Sequence, residues 1–228
     1  MDPFPTKGIE YLLIVGYLAL FVPFAWLLSR IGRERAAEGA PGPASPQPRK
    51  MPWFPLPDTF LLHRGHTWAL PLGDRLVKIG MDDFAHRLIG EPTAFRLPDP
   101  GQRLELGEHG WQVHVDQDAV DLLSPVTGEV VEVNEQALLT PAATSEDPYG
   151  EGWLMTVRVP DERTTVRNLL PARLATAWID EESAELSAMA GADVGPVLQD
   201  GGVPLRGFAR ELAGERWPEM AAKFLLTV

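Results

Sequence analysis

The chain has no cysteine among its 228 residues. Disulfides, cysteine-ligated iron–sulfur clusters and thiol catalysis are therefore excluded, although that absence says nothing about compartment. Lysine is confined to Lys7, Lys50, Lys78 and Lys223. No phosphate-cradling Gly-rich loop, dinucleotide fingerprint or Ser-His-Asp order is present. Positive charge is in deficit: 20 Lys and Arg face 32 Asp and Glu, a net charge of -12. Residues 1–35 hold four of the bases (Lys7, Arg30, Arg33, Arg35) and three of the acids (Asp2, Glu10, Glu34), so residues 36–228 carry 16 basic and 29 acidic side chains. A surface of that sign repels phosphate backbones, and no nucleic-acid partner is expected.

Against these absences stands one long apolar run. From Tyr11 to Ser29 there are 19 residues without a formal charge, spanning about 28 Å as a helix, close to the hydrocarbon thickness of a bilayer. Tyr11 and Trp26 lie near its ends, where amphipathic rings favour the headgroup level. A cleaved signal peptide would carry its positive charge before the run, whereas here Arg30, Arg33 and Arg35 follow it. The expectation is a retained single-pass membrane helix over 11–29. Its flanking charge puts the N-terminus outside and the C-terminal domain in the cytoplasm.

Residues 36–50 contain four prolines and no apolar periodicity, which reads as an extended linker. The next stretch, with Trp53, Phe54, Leu56 and Phe60, is too apolar to float in water and has to pack on the domain, a partner or the membrane. From 60 to 160 short alternating segments separated by Gly, Pro and Asp predict strands near Trp68–Leu72, Leu76–Gly80, Thr93–Arg96, Trp111–Val115, Val120–Ser124, Gly128–Val133 and Trp153–Val159. Together they predict a mainly β sandwich or flattened barrel. Met81–Ile89 reads as a short helix. After Arg163 the pattern turns helical: Pro171 suits a first helical position, Leu174, Trp178, Leu186 and Met189 give a stripe, and a last helix falls near Trp217–Leu226. The expected organisation is a tail (1–10), a transmembrane helix (11–29), an Arg-rich flank and Pro-rich linker (30–59), a β domain (60–162) and a helical extension (163–228).

Three stretches give the β domain a family resemblance. HRGHTWALPLGDRLVKIGMDDFAHRLIG (63–90), LLSPVTGEVVEVNEQAL (122–138) and DPYGEGWLMTVRV (147–159) resemble, in order and spacing, the glycine cleavage H-protein family, whose fold is of the lipoyl type. Members of that family carry lipoate on a lysine in a hairpin turn, in a sequence like Glu-Ser-Val-Lys-Ala-Ala-Ser-Asp shortly before the Ser-Pro-Val strand. Here that segment is His114-Val115-Asp116-Gln117-Asp118-Ala119-Val120-Asp121, so Gln117 stands at the lysine position. A carboxamide cannot form the amide link to lipoate. The resemblance therefore implies a lipoyl-type fold without its cofactor, and no catalytic residue.

Other candidates are weaker. His63 and His66, three apart, are too poorly oriented on a strand for a metal pair, and no metal site is expected. His109 and His114 flank the modified-turn region and offer a pH-sensitive contact. The reading that follows is a non-catalytic adaptor or subunit of a cytoplasm-facing membrane complex, whose partners are the bilayer and protein subunits of that complex. The extension supplies Trp178, Phe208, Trp217, Met220 and Phe224 as candidate partner contacts, because aromatics and Met are favoured at interface cores. Two alternatives stand beside it. One is a divergent glycine-cleavage-H-type protein with an assembly or regulatory role. The other is a scaffold similar in layout to the H subunit of purple-type photosynthetic reaction centres, on the anchor, the Arg flank and the Phe-Pro-Leu-Pro segment at 54–57.

Overall fold

Alternating sequence becomes two antiparallel sheets in the computed structural model, which describes Tyr17, Pro23, residues 54–190 and residues 206–227. The chain divides into two units, Met1–Lys50 and Met51–Val228. In the first, Tyr17 and Pro23 are both helical; the rest of the expected transmembrane helix and the linker at 36–50 lie outside the described residues. Among the described residues no helix is long and apolar enough to cross a membrane.

The second unit is mainly β with a helical C-terminal region. Its strands are β1 (Leu61–His63), β2 (Thr67–Gly73), β3 (Leu76–Met81), β4 (Ala94–Arg96), β5 (Arg103–Leu104), β6 (His109–Val115), β7 (Asp118–Leu123), β8 (Gly128–Val133), β9 (Trp153–Arg158) and β10 (Leu170–Pro171). The larger sheet runs β10-β1-β2-β3-β9-β8-β5 and the smaller β4-β6-β7. Alternation along β6 buries Trp111, Val113 and Val115 and turns Gln112 and His114 outward, so the smaller sheet presents one apolar face to the core. The core includes Trp68, Ile79, Val113, Leu122, Leu154 and Val157, all fully buried.

Trp68 shows how sequence sets this packing. A Cβ at Gly80 would fall 2.5 Å from the Trp68 ring, so only glycine lets the indole lie flat on β3. The indole N–H donates to the carbonyls of Met81 at 2.7 Å and Pro148 at 3.1 Å, which pins the Asp147-Pro148-Tyr149-Gly150 turn against β3. Asp147 closes that turn by accepting from the amides of Gly150 and Glu151, both at 3.0 Å.

The short helix expected at 81–89 is α1 (Asp83–Ile89), capped by Asp82, whose carboxylate accepts from Ala85 N–H at 2.8 Å. Such a cap satisfies an amide that the first turn leaves without a partner. Phe84 on α1 is fully buried and meets Phe54 edge-on at 5.4 Å, Phe208 at 6.0 Å and Phe224 at 6.1 Å. The apolar segment before residue 60 thus packs on the domain through Phe54 and Leu56, while Trp53 lies outside the described residues.

The C-terminal elements are α2 (Glu135–Leu139), α3 (Glu162–Val166), α4 (Ala172–Ala190), α5 (Phe208–Ala213) and α6 (Trp217–Phe224). Pro171 is the last residue of β10, opposite Leu61, and α4 begins one residue later. The buried face of α4 is Ala172, Ala175, Ile179, Ser183 and Leu186. Leu174, expected on that stripe, is 58% exposed. Alanines at 172 and 175 allow close approach to β1, and that contact turns Leu174 outward.

Phe208, Trp217 and Phe224 are 0%, 2% and 4% exposed, and Trp178 and Met220 pack partly buried at the core's margin. For Phe208, Trp217 and Phe224 this corrects the expectation of a partner surface. The three deepest rings cover α1 and the smaller sheet of their own chain and have no free face to offer. Truncation after Ala190 should therefore destabilise the whole domain rather than trim an appendage. Phe208→Ala should cost about 3 to 5 kcal/mol, the usual range for emptying a buried aromatic site, measurable by urea denaturation. A loss under about 1 kcal/mol, the level of surface substitutions, would contradict the placement.

Candidate functional site

The segment that the sequence resemblance puts at the carrier turn is the β6–β7 hairpin. Register pairs Val113 with Val120, His114 with Ala119 and Val115 with Asp118, leaving Asp116 and Gln117 as a two-residue tip. Asp116 takes φ +54, a left-handed conformation that aspartate tolerates better than most residues. Gln117 is exposed at the apex. Below it, Val113, Val115, Val120 and Leu122 fix the hairpin through its buried face. On the outer face Gln112 Nε2 donates to Asp121 Oδ1 at 2.9 Å.

The two acids flanking Gln117 are both engaged by the C-terminal helices. Arg210 Nη1 on α5 donates to Asp116 Oδ2 at 2.6 Å, and its other Nη lies 3.9 Å from Asp118. Trp217 Nε1–H at the start of α6 donates to Asp118 Oδ2 at 3.0 Å. The Arg210 guanidinium in turn lies over the Trp217 ring, 5.1 Å from its centroid. Hydrogen bonds from charged donors or to carboxylates are stronger than neutral ones, and the stacked guanidinium adds a cation–π contact.

Backbone geometry brings α5 to this position. Gly207, at φ +76, donates its amide to the Arg87 carbonyl at 2.7 Å, and a Cβ at Gly90 would lie 3.3 Å from Gly207 Cα. The end of α1 and the start of α5 therefore touch through two glycines. Arg210 follows one turn later, beside the hairpin tip.

A lipoyl group needs a lysine amine, and the tip does not fit one. Gln117 offers a carboxamide, which is not nucleophilic. The lysines described sit elsewhere: Lys78 on β3 lies over the Trp153 ring, and Lys223 on α6 pairs with Glu185.

Comparison with known proteins places this hairpin in context. The family model described as glycine cleavage H-protein matches residues 61–182, which include every strand of both sheets. The chain belongs to that family. It is similar to the glycine cleavage system H protein of Alteromonas mediterranea, 36% identical over 117 residues, covering 51% of this chain and 90% of the relative. It is also similar to that of Thermus thermophilus, 40% identical over 96 residues, covering 42% and 74% respectively. A solved H protein from Mycobacterium marinum aligns at 29% identity with a TM-score of 0.49, over 55% of this chain and 99% of that one. The family match ends within α4. Arg210 and Trp217, which grip the hairpin, lie beyond it.

The histidines distribute differently from expectation. His63, at the end of β1, accepts from Gly65 N–H through Nδ1 at 3.1 Å, and burial, with His66 close by, lowers its pKa. His66 is buried at φ +56, with Nδ1 2.8 Å from Asp82 Oδ2 and its ring stacked on Phe84 at 4.2 Å and against Trp178 at 4.8 Å. They form no site together, and no group of three metal-binding side chains occurs among the described residues. His109 lies 3.6 Å from Asp121 at the far end of the hairpin from Gln117, and His114 pairs with Ala119 on the outer face. The residues that sequence reading missed are Asp116, Asp118 and Arg210 as a clamp, and His86. Trp217 was singled out, but for contact with a partner rather than with the hairpin.

His86 on α1 is buried, with Nδ1 3.2 Å from Ser145 Oγ. Desolvation, helped by the Arg206 charge nearby, pushes its pKa down from 6.5 to about 3. The folded protein therefore rejects a proton that the unfolded chain accepts near pH 6.5. This contribution to stability is complete above pH 6.5 and is lost as pH falls toward 3, by about 1.4 kcal/mol per pH unit at most. Urea midpoints between pH 7 and pH 4 should fall more steeply for the native chain than for His86→Gln. Parallel slopes would show that His86 does not carry the effect.

Proposed function

We propose that this chain is a non-catalytic, H-protein-like adaptor that carries no lipoate and docks onto protein partners at a membrane. The observation that carries the reading is the hairpin apex: Gln117 where attachment chemistry requires an amine, between two aspartates already bound by Arg210 and Trp217. A carrier must keep its modified residue chemically competent and its turn accessible to successive enzymes. This turn has lost the amine and gained intramolecular ties, while the sandwich beneath it is retained. Retention of the fold without its chemistry favours a role in docking.

The membrane part of the proposal rests on residues 11–29, whose apolar length suits a bilayer. Arg30, Arg33 and Arg35 favour a cytoplasmic domain with the N-terminus outside. The host is read as a membrane complex, with energy-transducing assemblies the natural class. The relatives' shared name, glycine cleavage system H protein, supports a second reading, in which the chain serves that system in an assembly or regulatory role.

Intact-mass measurement of the protein purified from its own cells should match the unmodified chain. A lipoyl adduct on any residue would overturn the non-carrier reading. Deleting residues 1–50 should move the protein from the membrane to the soluble fraction with its cooperative melt preserved, because the deletion leaves unit Met51–Val228 whole. Retention of that fragment on salt-washed membranes would show that the apolar run is not the anchor. Identification of the proteins that co-purify in mild detergent separates the two readings: integral membrane subunits support the first, soluble glycine-cleavage enzymes the second.

A further inference from the structure

The elements that grip the hairpin lie outside the stretch that matches the family, and their polar contacts with it meet at its tip. We infer that residues 206–227 are a built-in docking partner of the β6–β7 hairpin: a strap that immobilises the tip around position 117 and occupies the flank a visiting protein would need. This inference rests on the non-carrier reading above and extends it from chemistry to access.

Three layers of contact support it. The deepest is apolar: Phe208, Ala209, Trp217, Ala221 and Leu225 are all buried in the core shared with α1 and the hairpin's inner face. The second is backbone. Gly207 N–H bonds the Arg87 carbonyl, and the Gly90–Gly207 contact sits beside Val115, whose Cγ1 is 3.9 Å from a Cβ built at Gly90. The strap therefore starts beside the last residue of β6, just below the tip. The third is polar and lies at the tip, where Arg210 bonds Asp116 and Trp217 bonds Asp118. Arg206 adds a bond to the Ser145 carbonyl at 3.0 Å, tying the start of the strap to the loop that follows α2.

The geometry is selective. Arg210 reaches the residue before Gln117 and Trp217 the residue after it, so the turn is held from both sides of its apex while the Gln117 side chain stays exposed. An exposed ion pair alone holds little. Here the Arg210 partner is fixed by a helix whose neighbouring side chains are buried, so ordering the pair costs less than for two free surface chains.

The absence of cysteine makes a clean test possible. A nitroxide on the full-length Gln117→Cys protein reports motion of the tip alone. Arg210→Ala removes the ion pair without touching the core, and Trp217→Phe removes the indole N–H while keeping an aromatic ring in the buried site. The label should be restrained in the parent, and its rotational correlation time should shorten about threefold when both substitutions are present, as for a surface side chain released from a fixed backbone. Asp116→Arg combined with Arg210→Glu should restore restraint. A label equally mobile in parent and double variant overturns the strap, and failure of the charge exchange to restore restraint overturns the ion pair as its fastening. The outcome is independent of the mass measurement. A lipoyl adduct would refute the non-carrier reading whatever the label shows, and an unrestrained tip would refute the strap while leaving an unmodified Gln117 in place.

Discussion

The packing of Phe84 is the contact on which the other elements converge. A single ring on a seven-residue helix touches Phe54 from the segment before the first strand, His66 from the β1–β2 turn, Phe208 from α5 and Phe224 from α6. So short a helix is not stable alone in water. It is held by its Asp82 cap, and the second Asp82 oxygen, by holding His66 at 2.8 Å, sets the ring that stacks on Phe84. A buried carboxylate is tolerated there because both oxygens are bonded. Loss of either partner would leave a polar group stranded beneath an aromatic cluster, with the cost spread over elements distant in sequence.

That cluster explains why the lipoyl-type sandwich and the C-terminal helices behave as one body. In the chain, α1 is covered by segments on both sides of it, Phe54 from upstream and the α5–α6 pair from downstream. Once α5 is placed by the glycine contact at the end of α1, the hairpin lies within reach of Arg210 and Trp217. The polar contacts at the tip are thus a consequence of apolar packing beneath it.

Sequence reading recovers the strands well because the alternation is strict where one face is buried. Gly128–Val133 is exact, and β2, β3, β6 and β9 shift by one or two residues at their ends. It misses β1, β5 and β10, which are two or three residues long and exist only because a partner strand supplies their hydrogen bonds. The stripe on α4 is misplaced at Leu174, because the alanines at 172 and 175 face inward there, while Leu186 is buried and Trp178 packs on the core. Gln117 is legible through motif spacing alone. The clamp is not, since Asp116 and Arg210 are 94 positions apart and nothing local marks an exposed arginine as the partner of a distant turn. The aromatic residues of the extension read as candidate partner contacts. Nothing in their pattern states that the surface they cover belongs to the same chain.

The position of β1 in the larger sheet has a mechanical consequence. It lies between β2 and β10, bonded antiparallel to both, and it is the first strand of the second unit. Tension arriving along the chain from the N-terminal side meets Phe54 and Leu56 in the core and then a strand bonded on both edges. A pull along such a strand loads its hydrogen bonds together in shear, whereas a pull across an edge strand would open them one at a time. Because β10 leads directly into α4, part of that load passes to the helix rather than ending at the sheet. A pull applied at the start of this unit is in this way taken by an interior strand rather than by an edge.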